Sequence, residues 1–378
     1  TRTSVTAYND TYTTEEKYAY TGNLVTQTQK KGHNTDYITE SLAYDGFGNL
    51  VQKTVSAPGT ASRTIKDEYD STGRFVKKKT DVDNLTEQFV YNNQGQVLTH
   101  TSPLQTVTRT VYDAWGKVRQ ITLSGTSETP LVTYTDYERT KEAGVKITSY
   151  SNQTGEYSAL YKDIWGRDIK TTTKGFAQGT YISRDIVYDV LGRKVKESEP
   201  YFEGSGAAYW NTLEYDDLSR PVIKNLFTGK TNTNTYNRLT VNTNDGVKKQ
   251  TQTKDANGNT IRTEDNGELI TYTYYANGGQ KTSNYNGHII TTQQDGWGRR
   301  TSLHDPAVST VPYTYTYTDY GEIKTEVTPK GTTTYAYTPT GKLSRKTIVG
   351  DRTSLQVTYT YSDKGLLLVE DGYRKGDI

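Results

Sequence analysis

The sequence contains no cysteine and no methionine, and only nine prolines among its 378 residues. The absence of cysteine excludes disulfides, thiol catalysis and thiolate zinc sites together. No apolar run approaches the ~18 residues that span a bilayer, and no signal peptide is visible. Hydrophobic residues make up 32% of the chain and the mean hydropathy is −0.83, so apolar side chains for an ordinary globular core are scarce.

An excess of charge of one sign is also missing. The 45 basic and 43 acidic residues leave a net charge of +2 and form no long runs. Bulk electrostatics therefore does not indicate nucleic acid or an anionic membrane as a partner. What the chain does have is 33 tyrosines, which argue against disorder. Tyrosine can bury its ring and keep its hydroxyl hydrogen-bonded, which suits a sheet with partly dry faces.

The segment TVYDAWGKVR is typical of a strand, a tight turn and a returning strand. Asp113 suits the first position of a type I turn, and Gly116 suits the fourth, where the backbone often becomes left-handed. Such a turn closes a β-hairpin, usually with a bulge at the glycine. If Asp113 lies opposite Lys117, Tyr112 lies opposite Val118 on the other face, and both pairs stabilise the hairpin.

This pattern recurs along the chain. Ser219 takes the glycine position in one unit, and thirteen units result, most of them 20 to 27 residues apart. Two longer gaps predict one degenerate unit each, in residues 134–155 and 231–246. The other turn markers are Gly48, Gly73, Gly95, Gly116, Gly166, Gly192, Gly258, Gly278, Gly298, Gly321, Gly341 and Gly365.

Ten of the thirteen units carry tyrosine four residues before the marker, and in seven of these the residue two after the marker is apolar. The hairpin register places these two positions opposite each other, so the pattern supports the register. The tyrosines are Tyr44, Tyr69, Tyr91, Tyr112, Tyr188, Tyr215, Tyr274, Tyr317, Tyr337 and Tyr361. The apolar residues are Leu50, Phe75, Val97, Val118, Ile323, Leu343 and Leu367.

Alternation of tyrosine with small residues between the turns predicts strands, and helical periodicity is nearly absent apart from weak candidates at residues 13–20 and 140–144. We therefore expect an all-β fold of about 25 strands, in one long antiparallel sheet that is strongly curved or spiralling. Residues 1–378 are predicted to be a single repeat array. Its N-terminal end, 1–40, is atypical, and longer loops lie near 125–160 and 199–214.

The repeat resembles the YD repeat of the RHS family, whose consensus is Tyr-Asp-x-x-Gly-Arg, over roughly residues 44–371. The closest copies are YDSTGR at 69–74 and YDVLGR at 188–193. The segments EPYFEG at 199–204 and DGWGR at 295–299 resemble bacterial RHS and insecticidal-toxin shell proteins. The residues that carry the repeat are Tyr44, Asp45, Gly48, Tyr69, Asp70, Gly73, Arg74, Tyr112, Asp113, Gly116, Tyr188, Asp189, Gly192, Arg193, Tyr215, Asp216, Gly298, Tyr317, Gly321, Tyr337 and Gly341.

This resemblance implies a β-ribbon that spirals into a hollow cocoon. In bacterial polymorphic toxins and Tc toxin complexes the cocoon encloses a cytotoxic C-terminal domain, and animal teneurins use a similar shell for adhesion. Other members have been described as carbohydrate-binding or wall-associated. The sequence is shorter than a complete shell, lacks the conserved C-terminal core and starts without methionine, so we expect a fragment. The Asp305-Pro306 pair lies within the array and is not a cleavage site.

No catalytic, cofactor-binding or metal-binding residues are predicted. The repeated Asp and Arg or Lys are explained by turn capping and cross-strand pairing, which contribute about 0–1 kcal/mol when exposed. Residues 255–259 lack the glycine and closing glutamate of a calcium loop. No nucleophile elbow, phosphate loop or dinucleotide fingerprint is present. The four histidines show no ligand spacing: His33, His100, His288 and His304.

Five units carry an aromatic residue directly before the turn marker, at Phe47, Trp115, Trp165, Trp297 and Tyr320. These rings at the hairpin tips could stack on the faces of sugars and form a carbohydrate-binding row. Alternatively, each tip folds over the next hairpin and covers its ladder. The sequence leaves both interpretations open, with the covering role favoured.

The preferred hypothesis is a non-enzymatic structural module of a bacterial, secreted or cell-surface protein, part of an RHS-type shell that encloses or scaffolds a passenger domain. Its partners would be the rest of its own shell and a C-terminal passenger, with no nucleic acid and no membrane span. The alternative is a module that binds glycans or a cell-surface partner through the tip aromatics. An enzyme is the least favoured hypothesis.

Overall fold

The computed structural model of the chain describes residues 2–9, 12–125, 129–141, 144–207, 209–351 and 353–374. Strands account for all the regular structure in these residues, and no helix occurs among them. The first strands are β1 (Arg2–Asn9), β2 (Tyr12–Thr21), β3 (Leu24–Lys31), β4 (Ile38–Tyr44), β5 (Leu50–Ser56), β6 (Arg63–Tyr69), β7 (Val76–Thr80), β8 (Thr86–Tyr91), β9 (Val97–Thr101), β10 (Val107–Tyr112), β11 (Val118–Ser124), β12 (Leu131–Glu138), β13 (Val145–Tyr150), β14 (Tyr157–Lys162), β15 (Asp168–Lys174), β16 (Tyr181–Tyr188) and β17 (Lys194–Ser198).

The remaining strands extend to the C-terminal end of the described residues. They are β18 (Tyr201–Phe202), β19 (Trp210–Tyr215), β20 (Pro221–Asn225), β21 (Thr231–Asn237), β22 (Thr240–Asn244), β23 (Lys249–Lys254), β24 (Thr260–Asp265), β25 (Glu268–Tyr274), β26 (Gln280–Tyr285), β27 (His288–Gln294), β28 (Arg300–His304), β29 (Tyr313–Tyr317), β30 (Ile323–Thr328), β31 (Gly331–Tyr337), β32 (Leu343–Gly350), β33 (Thr353–Tyr361) and β34 (Leu367–Arg374).

The chain divides into two compact units. Unit 1 comprises Thr1–Phe89, Ser102–Leu104 and Ile270–Ile378, and unit 2 comprises Val90–Thr101 and Gln105–Leu269. In each unit, strands that follow one another in sequence pair antiparallel, except that the two-residue β18 pairs with β16 while β17 pairs with β19. The predicted all-β, antiparallel hairpin fold is confirmed.

The turn markers share a left-handed φ and one hydrogen bond. All thirteen markers have positive φ, including Ser219 at +62°, and the amide of each donates to the carbonyl of the residue three before it. In the hairpin of Asp113, the Asp113 amide also donates to the Lys117 carbonyl at 2.9 Å, and the Asp113 carboxylate accepts from the Trp115 and Lys117 amides. This is the predicted type I turn, with the register shift that a bulge produces.

The predicted tyrosine register is confirmed where Tyr112 pairs with Val118, and likewise for Tyr44 with Leu50, Tyr317 with Ile323, Tyr337 with Leu343 and Tyr361 with Leu367. The prediction for Tyr69 was wrong, because it pairs with Val76 instead of Phe75. Its turn is one residue longer, since the Asp70 amide donates to the Phe75 carbonyl at 2.8 Å.

Three further expectations need correction or completion. The described residues form 34 strands where the sequence predicted about 25, because short Asn-Gly connections and the degenerate units also join strands. Residues 13–20, a weak helix candidate, lie in β2, where side chains alternate between faces. Both gaps hold hairpins, β12–β13 and β21–β22. Within the predicted loops and the second helix candidate, residues 126–128, 142–143 and 208 lie outside the described residues.

The sheet has almost no apolar core. Among the described side chains, only Ala57, Ala159 and Val357 are buried hydrophobic residues. Buried polar residues take their place, as where the Thr172 and Ser183 hydroxyls meet at 2.8 Å. Hydrogen bonds and half-buried tyrosines between neighbouring strands must therefore supply most of the stability.

The connections between strands alternate between two sides of the meander in each unit. We call the side that carries the marker turns the turn edge, and the opposite side the loop edge. Turn-edge connections are short and nearly uniform, whereas loop-edge connections range from the two-residue Asn286-Gly287 to the segment between Phe202 and Trp210. The two edges have different chemistry, and the candidate site lies where they meet.

Candidate functional site at the sheet edges

Adjacent repeats are joined by the residue that follows the turn marker. The Arg193 Nε donates to the Asp189 carboxylate of its own turn at 2.7 Å, and its Nη1 donates to the Asp216 carbonyl of the next turn at 3.4 Å. The same guanidinium lies 4.8 Å from the centre of the Tyr215 ring, whose hydroxyl donates back to the Lys194 carbonyl at 2.6 Å. Equivalent stacking occurs for Arg167 on Tyr188, Arg220 on Tyr236 and Arg299 on Tyr317.

These contacts explain why the repeat consensus contains Tyr, Asp and Arg at fixed positions. The predicted Asp–Arg pair within a turn is present in the units of Arg167, Arg193, Arg220 and Arg299. The sequence analysis missed the second role of the arginine, which is to cover the tyrosine of the next repeat by a cation–π contact. The signal available in the sequence was the regular occurrence of Arg one repeat before Tyr.

Several of the marker turns lower the pKa of their aspartate. The pKa of Asp216 is lowered, chiefly by the hydrogen bond from Arg220. At Asp189, burial acts to raise the pKa, but hydrogen bonds from Arg193 outweigh it and the net direction is down. The turn aspartates with lowered pKa are Asp45, Asp70, Asp163, Asp189, Asp216 and Asp255.

The two edges meet within unit 1. Turns of the C-terminal hairpins, at 295–299, 318–322, 338–342 and 362–366, lie against loop-edge connections of β3–β8. The contacting residues are 259 to 276 positions apart in the hydrogen bonds at Thr60, Tyr320 and Arg63. We call this contact the seam.

Arg63 is the central residue of the seam. Its Nη1 lies 2.6 Å from the Glu322 carboxylate, and both side chains are only 19% exposed. Its Nε donates to the Pro339 carbonyl at 3.2 Å, and its guanidinium lies 4.1 Å from the centre of the Tyr320 ring. It also packs on Gly341, where a Cβ would lie 2.9 Å from the guanidinium carbon. One cation therefore holds two turns of the C-terminal hairpins.

Tyr320 is the tip aromatic that the seam uses most directly. Its hydroxyl lies 3.0 Å from the Val55 carbonyl and 2.8 Å from the Ala61 carbonyl, so one donor serves both ends of the loop between β5 and β6. Thr60, in the same loop, donates its hydroxyl to the Asp319 carboxylate at 3.0 Å. Burial acts to raise the pKa of Glu322, but hydrogen bonds from Thr318 and Arg63 outweigh it, so the net pKa is lowered and the carboxylate stays ionised.

Backbone contact continues the seam on one side of Arg63. The His33 amide donates to the Gly296 carbonyl at 2.8 Å. A Cβ on Gly32 would lie 2.0 Å from the Gly296 oxygen, and a Cβ on Gly296 would lie 1.6 Å from the His33 oxygen. Trp297 follows directly and is half-buried. The two glycines are needed because the backbones approach too closely for any side chain.

An ion pair continues the seam on the other side. The Lys342 ammonium lies 3.0 Å from the Asp83 carboxylate, and the two side chains are about one quarter and one fifth exposed. Burial acts to raise the pKa of Asp83, but hydrogen bonds from Thr340 and Lys342 give a net lowering. Leu85 lies beside Gly365 in the next turn. The seam thus contains a backbone, an aromatic and an ionic contact in sequence order.

The five predicted tip aromatics fall into two groups. Trp297 and Tyr320 belong to turns in the seam. Phe47, Trp115 and Trp165 remain 70%, 88% and 74% exposed. Phe47 does lie over the next hairpin, since a Cβ on Gly73 would be 2.5 Å from its ring, and Arg167 stacks on Trp165. Phe47, Trp297 and Tyr320 belong to unit 1, whereas Trp115 and Trp165 belong to unit 2, and sugar stacking stays a prediction.

Residues typical of catalysis or metal binding are not clustered in the described part of the chain. No group of three or more metal-ligating side chains occurs there. His288 Nε2 lies 2.8 Å from the Asp305 carboxylate and is the main cause of the lowered pKa of Asp305. The same residues include no helix of the length and hydropathy that a bilayer crossing requires.

Comparison with solved structures identifies the fold. The chain superimposes on TcdB2-TccC3 without its hypervariable C-terminal region with a TM-score of 0.76 at 12% identity, over 94% of this chain and 27% of that one. It matches TcdB2-TccC3 with a TM-score of 0.71 at 13% identity, over 93% and 24%. It matches the Photorhabdus luminescens Tc holotoxin pore with a TM-score of 0.54 at 13% identity, over 94% and 23%.

These matches show that the chain has the same fold as the TcdB2-TccC3 structures, and they support the RHS-like β-shell that the resemblance of the repeats implied. The chain spans about a quarter of the length of the structures it matches. No protein-family model matches the sequence. No curated protein matches it either.

Proposed function

Because the fold is that of an RHS-like shell, we propose that the chain is a non-enzymatic wall segment of a secreted bacterial shell that encloses a passenger domain. The observation that carries this proposal is the seam of unit 1. There, hairpins about 260 residues apart are joined edge to edge through Arg63 and Tyr320. When the two edges of a sheet bond to each other, they leave no gap between them and the sheet can separate an interior from the solvent. A sheet with open edges cannot do so.

The contacts between repeats support the same role. Each Tyr–Arg stack links one hairpin to the next, as with Arg193 and Tyr215, and ladder hydrogen bonds close the space between strands. Stability in such an array is roughly a sum of terms for units and their neighbours, so a long wall needs no central core. The scarcity of buried apolar residues among the described side chains fits a wall better than a globular enzyme.

Protease protection in the full polypeptide that contains this segment tests the proposal. We expect a domain enclosed by the shell to resist digestion until the shell is denatured. The double variant Arg63→Ala/Tyr320→Ala should open the seam and make that domain accessible, while Phe176→Ala, an exposed residue outside the seam, should not. Equal digestion of the domain in the wild type and in the seam variant would contradict the enclosing role.

A second candidate function is glycan binding by the exposed tips. The exposure of Trp115 and Trp165 favours it, since aromatic faces open to solvent can stack on sugar rings. We expect binding on a glycan array to be lost in Trp115→Ala and Trp165→Ala, with little change in thermal stability. A sharp fall in stability without any loss of glycan binding would assign the rings to packing instead.

A further inference from the structure

Neighbouring hairpins leave a gap between them at the turn edge, which we call the notch. There the strands stop pairing before they reach the turns, and the tyrosine of the later repeat spans the gap, as where the Tyr188 hydroxyl donates to the Asp168 carbonyl at 2.9 Å. In four repeats an arginine of the preceding turn lies in the notch, with its guanidinium 4.3 to 4.8 Å from the centre of the tyrosine ring. The notch is therefore a place where this fold accepts a guanidinium cation.

The notch between β9 and β10 has the tyrosine but not the arginine. Its tyrosine is Tyr112, whose hydroxyl donates to the Val97 carbonyl at 3.1 Å. Gln96 takes the arginine position, and its amide accepts from Asn92 Nδ2 at 2.7 Å and donates to the Gly116 carbonyl at 2.9 Å. Asn92 in turn takes the place of the turn aspartate. Among the described side chains, no cation lies over the Tyr112 ring.

A carboxylate beside this notch also lacks the partner that its counterparts have. Asp113 begins the next marker turn, and its Oδ1 accepts from two amides of that turn at 2.9 Å. In the equivalent turn, Oδ2 of Asp189 accepts in addition from the Arg193 Nε at 2.7 Å. Lys117 does not take this role, since its ammonium lies 4.7 Å from the centre of the Tyr137 ring. Within the described part of the chain Asp113 forms no ion pair, so its second oxygen is open to a ligand.

These groups line one cavity of about 710 Å³, a size typical of small-molecule sites. The cavity at the equivalent place between Arg167 and Tyr188 measures about 570 Å³, so the notch is larger where glutamine replaces arginine. Asp113 is the only charged side chain of the larger cavity's lining, and Trp115, which is 88% exposed, adds a second aromatic face. The lining residues that carry a ring, an amide or a charge are Asn92, Gln94, Gln96, Tyr112, Asp113 and Trp115.

This lining selects among classes of ligand. A guanidinium is attracted to the faces of aromatic rings, and its planar N–H groups match a carboxylate. Calcium takes about six to eight oxygen ligands, whereas this lining offers one carboxylate. Asp113 would repel an anion. A neutral sugar could stack on Trp115 but would leave the carboxylate without an opposite charge.

We infer that the cavity between β9 and β10 binds a guanidinium cation, held by the Asp113 carboxylate and the rings of Tyr112 and Trp115. The same chemistry can come from a small guanidinium compound or from an arginine side chain of a longer polypeptide that contains this segment. The inference requires neither an enclosed passenger nor glycan binding, so it stands or fails independently of both proposed functions.

Calorimetric titration of the 378-residue chain with butylguanidinium tests this inference, and butylurea, which has nearly the same shape but no charge, is the matched probe. We expect butylguanidinium to bind with a Kd of about 1 mM or below, and butylurea to bind at least about tenfold more weakly. Asp113→Asn should weaken butylguanidinium binding at least about tenfold and keep the turn, because the Asn92 side chain already accepts the same two amide bonds in its own turn. Asp255→Asn, the same substitution in another marker turn, is the control.

The variant Asn92→Asp/Gln96→Arg tests the same site from the opposite direction. It restores the aspartate and arginine that other repeats carry, so its own guanidinium should lie over Tyr112 and abolish butylguanidinium binding, with circular dichroism as the check that the variant is folded.

Equal binding of butylguanidinium and butylurea would overturn the inference, and so would no binding of either or binding that Asp113→Asn leaves unchanged. Glycan binding at Trp115 without butylguanidinium binding would overturn it in favour of a sugar. Titration of the longer polypeptide separates the two sources of the cation. Binding that is present in the 378-residue chain and lost in the longer polypeptide would point to an arginine side chain as the natural ligand, and equal binding in both would favour a small molecule.

Discussion

Replacing Arg63 with alanine should weaken the seam by an amount that its contacts allow us to work out. At an effective dielectric constant of about 20, two charges ~4 Å apart attract by about 4 kcal/mol, part of which is offset by desolvation. Removing one partner of a buried pair costs about 3–5 kcal/mol. Because Arg63 and Glu322 are 19% exposed, we take the lower end, about 3 kcal/mol with the Tyr320 stacking included.

A matched control exists in the same chain. Arg262 and Glu264 form another Arg–Glu pair at 3.0 Å, but their side chains are 50% and 37% exposed. Such a pair contributes about 0–1 kcal/mol. Arg262→Ala should therefore change stability far less than Arg63→Ala, although both remove the same chemical groups.

The stability of the seam is best measured by a local probe, because a long repeat array need not unfold in a single two-state transition. The absence of natural cysteines lets Thr60→Cys/Asp319→Cys report seam closure through the yield of a cross-link between two side chains that touch at 3.0 Å. A loss of about 3 kcal/mol corresponds to roughly a hundredfold larger open population. We expect the cross-linking rate to fall when Arg63→Ala is added and to stay unchanged with Arg262→Ala.

A double-mutant cycle completes the test. Arg63→Ala, Glu322→Ala and the double variant should give a coupling energy well above 1 kcal/mol, because residues in direct contact do not contribute additively. Equal effects of Arg63→Ala and Arg262→Ala on cross-linking would refute the reasoning. They would mean that the seam is held by other contacts and that Arg63 is only a surface charge.

Gly32→Ala or Gly296→Ala should open the backbone part of the seam and speed hydrogen exchange of the His33 amide, because the new Cβ would overlap a carbonyl oxygen. Gly46→Ala is the control, since its Cβ would meet no atom within 4 Å. Unchanged exchange in the Gly32 and Gly296 variants would count against the close approach of the two backbones. Ser219→Gly should raise the free energy of unfolding in urea by about 0.5–1 kcal/mol, because glycine adopts the left-handed φ of this position without strain, whereas Ser219→Ala should not raise it. Equal effects of the two substitutions would show that the backbone angle φ is not the cause. Acid should destabilise the array, because the turn aspartates have folded pKa values below the ordinary 3.8. Their stabilisation is complete above about pH 4 and is lost as the pH falls through those lower values. A chevron or melting series that stays flat from neutral pH to pH 2 would disprove this prediction.

Local features were predictable from the sequence because they depend on a few adjacent residues. The bend at Gly116 and the pairing of Tyr112 with Val118 follow from turn chemistry, which acts over a handful of positions. The error at Tyr69 arose in the same way, since one extra turn residue moved its partner to Val76 and no sequence marker distinguishes the longer turn.

The seam could not be predicted because its contacts join residues more than 250 positions apart. Arg63 and Glu322 look like ordinary strand and turn residues in the sequence, and nothing near either one indicates the other. Likewise, Tyr320 and Trp115 occupy the same position of the repeat, yet one is docked and the other is 88% exposed. What separates them is that the turn of Tyr320 lies against the connection between β5 and β6, more than 250 positions away in the sequence.

The unequal lengths of the connections on the two edges have a consequence for how such a chain can change in evolution. Most turn-edge connections have the same length, and where an arginine joins two repeats this length matters, because Arg193 must reach both Asp189 behind it and Asp216 ahead of it. Loop-edge connections carry no such constraint, and the one after Phe202 already holds two glycines with positive φ, Gly204 and Gly206. Insertions, deletions and new domains can therefore accumulate on one rim of the ribbon while the other keeps its register.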